Sequence, residues 1–579
     1  MLQKLFIIYT ALFLLTFSLD AQTTFCPDDP PLNSWLADSP YPIYHRNSYA
    51  QASSCIKGIL PGDTVTIKTR TNITGGTSPW IYLTDKYPNG ERCILFSNST
   101  HVFKLIDDGN SIVAIDSFRI DFDPITSFGY NHLLTRDHIW FSYDPDYNPE
   151  NGEYTRLLKF SDEDVNDPYS DIILLDEFSF EAFEIPAVNM YNLNYYGEIV
   201  WYSERDTNDT YAYAGVIDQD FNMLDTLRFE VLPAERVNHN SISVDEENNF
   251  YIVTSHRLIQ FTWDGNKVLI GWQALYDFVN DGPTGNFAYG SGTTPTLMGW
   301  GEGNDKLVVV ADGHANNNLV AFWRELPDGW TGIPNMPLHF ADSISIPNAM
   351  SFSNLFQSIE NSPTVHGYDV AIAQFNGFLG YDCENLKGVS KFNWNQEGNE
   401  FELQWTNDEV NMNGVLAYSS GSDLVYGSGK EEDCNYYYYG LDWQTGELKV
   451  DVLLGPEGTF LDDPFYDAGV NNVIDEDGSI YFPGGGSVVK LERHPLSTAT
   501  IPSPNDSFSI YPNPSSTHVF VNHLAHPGTS YTIYSIDGIA LRSSTLRNTQ
   551  IDISDLPAGL LVFQFEGKDG IVVKKVYKD

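Results

Sequence analysis

A possible acid–base pair stands at the end of one strongly apolar stretch of the sequence. The run Leu307–Val310 leads into Ala-Asp-Gly-His, which places Asp312 and His314 two positions apart. A carboxylate and an imidazole at that spacing can act as a general acid and base, or they can bind a metal ion. The alternative is a plain hairpin turn in which each side chain serves only its own backbone. Both interpretations stay open at this point.

A polar, glycine-rich stretch lies just before that strand. Residues 290–296 are Gly-Ser-Gly-Thr-Thr-Pro-Thr, and they interrupt a series of runs rich in Val, Ile, Tyr, Phe and Trp. Glycines let backbone amides approach a ligand, and Thr293 and Thr294 can present hydroxyl groups to it. A simple connecting loop between two repeats explains the same residues.

Two further polar segments stand at predicted strand starts. His239 lies between two amides in residues 238–241, and Glu360 precedes Asn361 and Ser362. In a ring of consecutive repeats, equivalent strand ends meet at one mouth of the central channel, where such folds bind ligands. The predicted ligand-binding residues are therefore His239, Asn240, Thr293, Thr294, Asp312, His314, Glu360 and Asn361.

Two acidic loops have alternating oxygen ligands, as calcium loops do. Residues 144–150 are Asp-Pro-Asp-Tyr-Asn-Pro-Glu, but Pro149 stands where an EF-hand requires glycine. Residues 162–167 are similar. A solvated acidic loop explains both segments, so no metal ligand is predicted.

The elements that must position these residues are predicted to be β-strands. Aromatic residues make up 14% of the chain, and short apolar runs alternate with turn clusters such as 246–249 and 264–266. That pattern is typical of antiparallel hairpins. The runs recur at irregular intervals of about one propeller blade each. We therefore predict an all-β protein with a seven- or eight-bladed β-propeller over residues 22–494, in which 22–75 either joins the ring or extends it.

Several segments of this region resemble a known family. Residues 436–450 contain a strand, Leu-Asp, a Thr-Gly turn and a second strand, and residues 472–482 contain a tight hairpin with an Asp-Gly turn. Both resemble the pyrroloquinoline-quinone-type propeller repeat. The wider pattern over roughly 235–490 is similar to an uncharacterised group of secreted propellers of quinoprotein-like fold. It includes the stretches 290–299, 308–324 and 357–365.

The resemblance leaves three functions open, because a fold does not specify an activity. The first is a propeller without catalysis that binds a small polar or polymeric ligand at its channel mouth. The second is a pyrroloquinoline-quinone oxidoreductase, for which quinone and calcium are possible cofactors without a clear motif. The third is a sulfate-transferring or hydrolytic enzyme, because Asn-His-Asn around His239 resembles the nucleophile segment of propeller arylsulfotransferases. Only Arg236, His256 and Arg257 are nearby to hold sulfate.

A second domain is predicted at 507–579, after a Pro/Ser/Thr-rich linker at 495–506. Its short alternating strands predict a small Ig-like β-sandwich. It contains Tyr-Pro-Asn-Pro, Ile-Tyr-Ser-Ile-Asp-Gly and Leu-Pro-Ala-Gly-Leu-Leu-Val-Phe in order, followed by a basic tail. These motifs resemble the type A sorting domain of type IX secretion cargo in Bacteroidetes, apart from Ile539 where a basic residue usually follows the glycine. The resemblance implies the type IX machinery as partner and a secreted or cell-surface location.

The N-terminus agrees with export. Lys4 and the uncharged run Leu5–Phe17 predict a signal peptide over residues 1–21, which is too short to span a bilayer comfortably. No later segment is apolar enough to cross a membrane. Export also permits disulfides, and proximity suggests the pairs Cys26–Cys55 and Cys383–Cys434, with Cys93 left over.

The net charge of −47 excludes binding to a nucleic-acid backbone, since phosphates would be repelled. The excess acid lies between the signal peptide and the C-terminal domain. It is explained either by a solvated surface suited to saline surroundings or by calcium binding.

Overall fold

A computed structural model describes residues 26, 28–71, 80–97, 101–120, 132–144, 154–185, 187–204, 210–237, 240–276, 290–313, 317–347, 359, 361–374, 387–456, 464–465, 471–484, 487–496, 510–511, 514–521, 530–535, 539–546, 549–567 and 570–578. These residues form β-strands, one 3-10 helix at Phe180–Phe183 and no α-helix. The chain separates into two compact units, Met1–Arg493 and His494–Asp579. The all-β prediction is confirmed. The predicted signal peptide lies outside the described residues.

Eight sheets are described in the first unit, and each consists mainly of consecutive antiparallel strands. Two short N-terminal strands come before them in the chain, β1 (Ser53–Ser54) and β2 (Thr64–Arg70). Sheet 1 contains β3 (Trp80–Leu83), β4 (Ile94–Ser97), β5 (His101–Asp107) and β6 (Ile112–Arg119). Sheet 2 contains β7 (Leu133–Thr135), β8 (Ile139–Asp144), β9 (Arg156–Asp162) and β10 (Ile172–Ser179). Sheet 3 contains β11 (Val188–Leu193), β12 (Ile199–Ser203), β13 (Tyr211–Ile217) and β14 (Met223–Glu230).

The other five sheets follow in the same order. Sheet 4 contains β15 (Ser243–Val244), β16 (Phe250–Val253), β17 (Arg257–Trp263) and β18 (Val268–Leu275). Sheet 5 contains β19 (Thr296–Met298), β20 (Leu307–Ala311), β21 (Asn318–Trp323) and β22 (Phe340–Ser345). Sheet 6 contains β23 (Thr364–His366), β24 (Asp369–Ala373), β25 (Val389–Asn395) and β26 (Glu400–Asn407). Sheet 7 contains β27 (Asn413–Ser419), β28 (Leu424–Lys430), β29 (Asn435–Asp442) and β30 (Leu448–Pro456), with β1 parallel to β27. Sheet 8 contains β31 (Val473–Ile474), β32 (Ile480–Gly484) and β33 (Ser487–His494), with β2 beside β33.

The ring of sheets is closed by the N-terminal part of the chain. Strand β2 comes before sheet 1 in the sequence but forms the fourth strand of sheet 8. Sheets 8 and 1 also share one hydrophobic core, in which Ile81 of β3 packs with Val473 and Tyr481. Further clusters join neighbouring sheets around the rest of the ring. This arrangement is a β-propeller, as predicted from the hairpin pattern.

The burial of each strand explains the sequence pattern. The first three strands of a sheet are covered on both faces by neighbouring sheets, so β16 (Phe-Tyr-Ile-Val) and β20 (Leu-Val-Val-Val-Ala) are continuous apolar runs and wholly buried. The fourth strand lies at the perimeter. In β6 and β22, exposed and partly buried residues therefore alternate.

The second unit is a β-sandwich. Its three-stranded sheet contains β34 (Ile510–Tyr511), β35 (His518–Val521) and β38 (Gln550–Asp552). Its four-stranded sheet contains β37 (Ala540–Thr545), β36 (Ser530–Ser535), β39 (Gly559–Gly567) and β40 (Gly570–Lys578). Both sheets contribute to one core, which includes Val519, Ile551, Ile533 and Phe563.

Within the described residues, the structure contains one of the two disulfides that sequence proximity suggests. Cys26 and Cys55 form a disulfide. Cys434 is also disulfide-bonded, while Cys383 lies outside the described residues. Cys93 is a buried free thiol, and burial raises its pKa to about 12.

Candidate functional site

The N-terminal segment of residues 33–54, here called the plug, runs through the middle of the ring. Backbone amides on the first strands of six sheets donate to plug carbonyls at 2.7–3.3 Å. These bonds join Leu83 to Tyr41, Leu134 to Pro42, Val244 to Ser48, Leu297 to Tyr49, Val365 to Gln51, and Tyr418 to Ala52. The Asn33 amide donates to the Leu193 carbonyl of a seventh sheet at 3.0 Å. A segment bonded to so many first strands must lie inside the ring.

Several contacts hold the plug in an unusual backbone conformation. His45, Arg46, Ala50 and Ala52 all have positive φ, between 53° and 77°, which side-chain-bearing residues seldom adopt. Such a conformation persists only where the surroundings enforce it. The Arg46 guanidinium binds both carboxylate oxygens of Asp29, at 2.8 and 2.7 Å. The disulfide between Cys26 and Cys55 ties the two ends of this segment together.

A group of hydroxyls, here called the hydroxyl cluster, lies where the first strands of sheets 4, 5 and 6 begin. Its members are Ser241, Ser291, Thr293, Thr294 and Ser362. The Thr294 hydroxyl lies 2.9 Å from the hydroxyl of Ser241, and its backbone amide donates to the hydroxyl of Ser362 at 2.9 Å. The hydroxyls of Ser291 and Thr293 lie 2.9 Å apart. Three sheets therefore present neutral polar groups to one place.

The loop at residues 290–296 reaches this place because two glycines permit close packing. Gly290 has φ +89°, and a Cβ on it would lie 2.2 Å from the carbonyl oxygen of Ser255. A Cβ on Gly313 would lie 2.4 Å from the Cα of Gly290. The loop is thus pressed between two neighbouring turns, and it is buried throughout.

His45 of the plug completes the cluster. Its Nε2 lies 3.1 Å from the Thr294 hydroxyl oxygen. The ring is fully buried, and this burial holds its pKa well below the usual 6.5, so the imidazole is neutral. Among the described residues, Nδ1 has no hydrogen-bond partner. Tyr44, which is partly exposed, packs edge-on against this imidazole with a centroid distance of 3.9 Å.

The structure brings together three of the eight predicted site residues. Asn240 donates its amide to the Ser291 carbonyl at 3.0 Å, and this places it beside Thr293 and Thr294. His239, His314 and Glu360 lie outside the described residues.

The side chains of Asp312 and Asn361 form hydrogen bonds with nearby backbone and side-chain groups. The Asp312 carboxylate accepts from the backbone amide and side-chain amide of Asn318, at 2.8 and 2.6 Å, across its own hairpin. The Asn361 side chain donates to the Gln374 carbonyl at 2.9 Å. The turn that carries Asp312 still touches the loop at 290–296, because Gly313 packs on Gly290.

Sequence reasoning missed the contribution of the plug. His45 and Tyr44 lie in Tyr-His-Arg-Asn-Ser-Tyr, a segment rich in aromatic and polar residues but without strand periodicity. That composition is the one local signal that distinguishes it. Ser241 and Ser362 lie within the segments that were singled out, as neighbours of Asn240 and Asn361.

No group of three or more His, Cys, Asp or Glu side chains suited to a metal ion is found within the described ranges. Over the same residues, no helix is long and apolar enough to cross a membrane.

Comparison with known proteins identifies the second unit. Residues 509–579 match the model of the secretion system C-terminal sorting domain. The protein therefore carries a type IX sorting domain and is secreted to the cell surface or the extracellular space.

Most of the chain is also similar to several other proteins. An uncharacterised protein of Archaeoglobus fulgidus is 26% identical over 482 residues, which cover 78% of this chain and 87% of that one. A quinohemoprotein alcohol dehydrogenase from Pseudomonas putida HK5 is 12% identical with a TM-score of 0.46, over 86% of this chain and 85% of that chain. PorZ, a surface component of the type IX secretion system of Porphyromonas gingivalis, is 10% identical with a TM-score of 0.33, over 88% of this chain and 71% of that chain.

Proposed function

We propose that this exported propeller binds a small, neutral, polar ligand at the mouth of its channel, the end of the ring where the first strands begin. The observation that carries the proposal is the meeting of Ser241, Thr294 and His45, which come from two sheets and the plug. Hydroxyls, amides and a neutral imidazole offer hydrogen bonds without net charge, and this suits a ligand rich in hydroxyl or amide groups.

The ligand would contact the partly exposed members of this region first. Asn240 and Tyr44 are partly exposed, whereas Ser241, Thr294 and His45 are buried beneath them. The exposed part of the Tyr44 ring and the amide of Asn240 together support recognition of a saccharide-like molecule. The buried hydroxyls would then hold these contact residues in position.

The quinone-dependent alternative has less support. The plug fills the middle of the ring with its own backbone and side chains. A planar cofactor in the channel would have to share that space with Tyr44 and Trp80, whose ring centroids are 4.1 Å apart.

The sulfate alternative gains little support from two of the three basic residues near position 239, Arg257 and His256. The guanidinium of Arg257 is bound to the buried carboxylate of Glu235 at 2.8 and 3.0 Å. Burial lowers the pKa of His256, which keeps that imidazole neutral at pH 7. A sulfate group near this segment would gain little from either residue.

Thermal unfolding with separate probes tests these functions. A neutral oligosaccharide panel should include at least one member that raises the melting temperature of the purified propeller with saturation, by mass action. Pyrroloquinoline quinone with calcium, and 4-nitrophenyl sulfate, should produce no saturable shift. A saturable quinone shift of several degrees would instead favour the oxidoreductase.

Variants of two residues at the channel mouth, compared with a control variant elsewhere, test the location of the site. Tyr44→Ala and Asn240→Ala should abolish the saccharide shift, whereas Tyr196→Ala, at a residue that is 53% exposed in a turn between β11 and β12, should retain it. Equal shifts in all three variants would place the ligand elsewhere.

Export has its own test, which does not depend on the ligand. Removal of residues 507–579 should trap the propeller in the periplasm, and fusion of this segment to a passenger should export the passenger. Undiminished truncated protein at the cell surface would contradict the sorting role.

A further inference from the structure

A cavity of about 670 Å³ lies at the junction of sheets 8 and 1, where the ring closes. Residues 55–57, which directly follow the plug, line it together with the β3–β4 turn and the β31–β32 turn. These turns follow the first strands, so the cavity is at the opposite end of the ring from the hydroxyl cluster. Its volume is within the range of small-molecule sites, roughly 300–1,000 Å³.

Two segments that are distant in sequence touch directly at this cavity. Gly478 in the β31–β32 turn has φ +84°, and a Cβ on it would lie 2.6 Å from the carbonyl oxygen of Lys57. Lys57 follows the disulfide residue Cys55, while Asp477 precedes Gly478. The close backbone approach therefore brings Lys57 and Asp477 to one wall.

Several charged groups of the lining neutralise one another. The Lys490 ammonium lies 2.7 Å from the Asp107 carboxylate. The Arg92 guanidinium lies 2.6 Å from the Glu476 carboxylate, which Lys86 also contacts. Each of these groups has an ion-pair partner within the protein, and Lys86 and Arg92 share the carboxylate of Glu476.

Other lining charges have no ion pair among the described residues. Lys57 is the basic one, and the acidic ones are Asp475, Asp477 and Glu91. The carboxylates of Asp475 and Asp477 accept hydrogen bonds from backbone amides of their own turn. Glu476 donates to Asp475 and Ser479 donates to Asp477, each at 2.8 Å. One cavity thus presents charges of both signs that form no ion pair within 4.0 Å among the described residues, although Arg92 and Lys490 lie close enough to Asp475 to lower its pKa.

We propose that this cavity binds a zwitterionic ligand, a molecule that carries an ammonium and a carboxylate group, such as a free amino acid or a short peptide. The ammonium group faces Asp475 and Asp477, and the carboxylate faces Lys57. This site is separate from the one proposed at the channel mouth and does not depend on it.

The electrostatics of Asp475 agree with this assignment. Burial, the largest effect, and then the neighbouring Asp477 raise its pKa by more than Arg92 and Lys490 lower it. A bound ammonium group would offset both effects, because an opposite charge close to a carboxylate favours its ionised form.

Calorimetric titration of the full exported chain tests the proposal. The probe is glycylglycine. Two comparison compounds each lack one charge: N-acetyl-glycylglycine lacks the ammonium group, and glycylglycine methyl ester lacks the carboxylate. At about 0.15 M salt, long-range attraction to the acidic surface is screened beyond about 8 Å. We expect one site for glycylglycine and at least about tenfold weaker binding, or about 1.4 kcal/mol, for each blocked probe. Binding of the methyl ester as tight as that of glycylglycine, or no heat with glycylglycine, would overturn the proposal.

Paired variants separate the cavity from the rest of the surface. Asp475→Asn with Asp477→Asn, and separately Lys57→Gln, should each weaken glycylglycine binding about tenfold or more. The matched controls are Asp264→Asn and Lys267→Gln, in an exposed turn where Asp264 accepts the same kind of backbone bonds at 2.8 Å. Controls that weaken binding equally would show that the cavity is not the site. Tyr44→Ala, which tests the channel mouth, should leave this binding unchanged.

Discussion

The Nε2 atom of His45 lies 3.1 Å from the hydroxyl oxygen of Thr294, although 249 positions separate the two residues. One belongs to the plug and the other to the loop before β19. The contact joins the centre of the ring to the loop that starts sheet 5. Because both groups are buried, the loss of the Thr294 hydroxyl leaves the His45 imidazole without a hydrogen-bond partner among the described residues.

Replacement of Thr294 should therefore destabilise the propeller. Thr294→Val keeps the shape of the side chain but removes the oxygen that meets both His45 and Ser241. We expect a loss of about 1–3 kcal/mol in the free energy of unfolding, measured with guanidinium chloride. Thr262→Val, at a partly exposed strand position, should change it by less than about 0.5 kcal/mol. Equal effects would mean that the buried network contributes nothing specific.

The disulfide should control the opening of the plug. Cys26 and Cys55 are 29 positions apart, and a loop of roughly 30 residues corresponds to about 3.5 kcal/mol of chain entropy. In the Cys26→Ser, Cys55→Ser double variant, hydrogen exchange should accelerate at Val244, Leu297 and Val365. Their amides donate to plug carbonyls in the native protein.

Amides in the third strands provide the internal control for that exchange experiment. Ile259 and Ala321 pair within their own sheets, with no plug contact recorded. Their exchange should change less than that of the first-strand amides. Uniform acceleration across all strands would instead indicate loss of global stability, without selective opening of the plug.

A buried ion pair between sheets 1 and 2 should be sensitive to removal of one partner. The Lys104 ammonium lies 2.6 Å from the Asp162 carboxylate, and both side chains are fully buried. Lys104→Met leaves Asp162 charged without its cation, which should cost about 3–5 kcal/mol of unfolding free energy. Lys449→Met breaks an exposed pair with Glu447 and should produce no measurable change.

The double replacement checks the cause of that loss. Lys104→Met combined with Asp162→Leu removes both charges, so it should be less destabilising than Lys104→Met alone. A double variant whose destabilisation equals the sum of the two single changes would rule out the uncompensated carboxylate as the cause.

Buried histidines should make the first unit sensitive to acid. Burial lowers the pKa of His132 from 6.5 to about 3, so the unfolded chain binds this proton at a higher pH than the folded protein does. The stability contribution is complete above pH 6.5 and decreases by about 1.4 kcal/mol per pH unit as the pH falls toward 3.

A substitution can isolate that contribution. His132→Asn should make the slope of unfolding free energy against pH shallower by about 1.4 kcal/mol per unit below pH 6.5, measured by urea unfolding at several pH values. His101→Asn, at a partly exposed histidine, should change the slope less. An unchanged slope in His132→Asn would show that this imidazole titrates normally in the folded protein.

The amino-acid sequence by itself determined the class of fold and the sorting domain, because both depend on local patterns. Alternating apolar runs and turn residues specify hairpins over about ten residues, and the motifs of residues 509–579 are contiguous in the chain. It also singled out Asn240 and the loop that contains Thr293 and Thr294, and the structure places Asn240 beside that loop.

Only the tertiary structure decided what fills the ring and which residues meet there. Strand β2 joins sheet 8, and the plug bonds first strands of seven sheets. Contacts such as His45 with Thr294, or Lys57 with the turn at Gly478, join residues hundreds of positions apart. They arise when the ring closes and have no periodic signal along the chain, because each depends on the relative position of whole sheets.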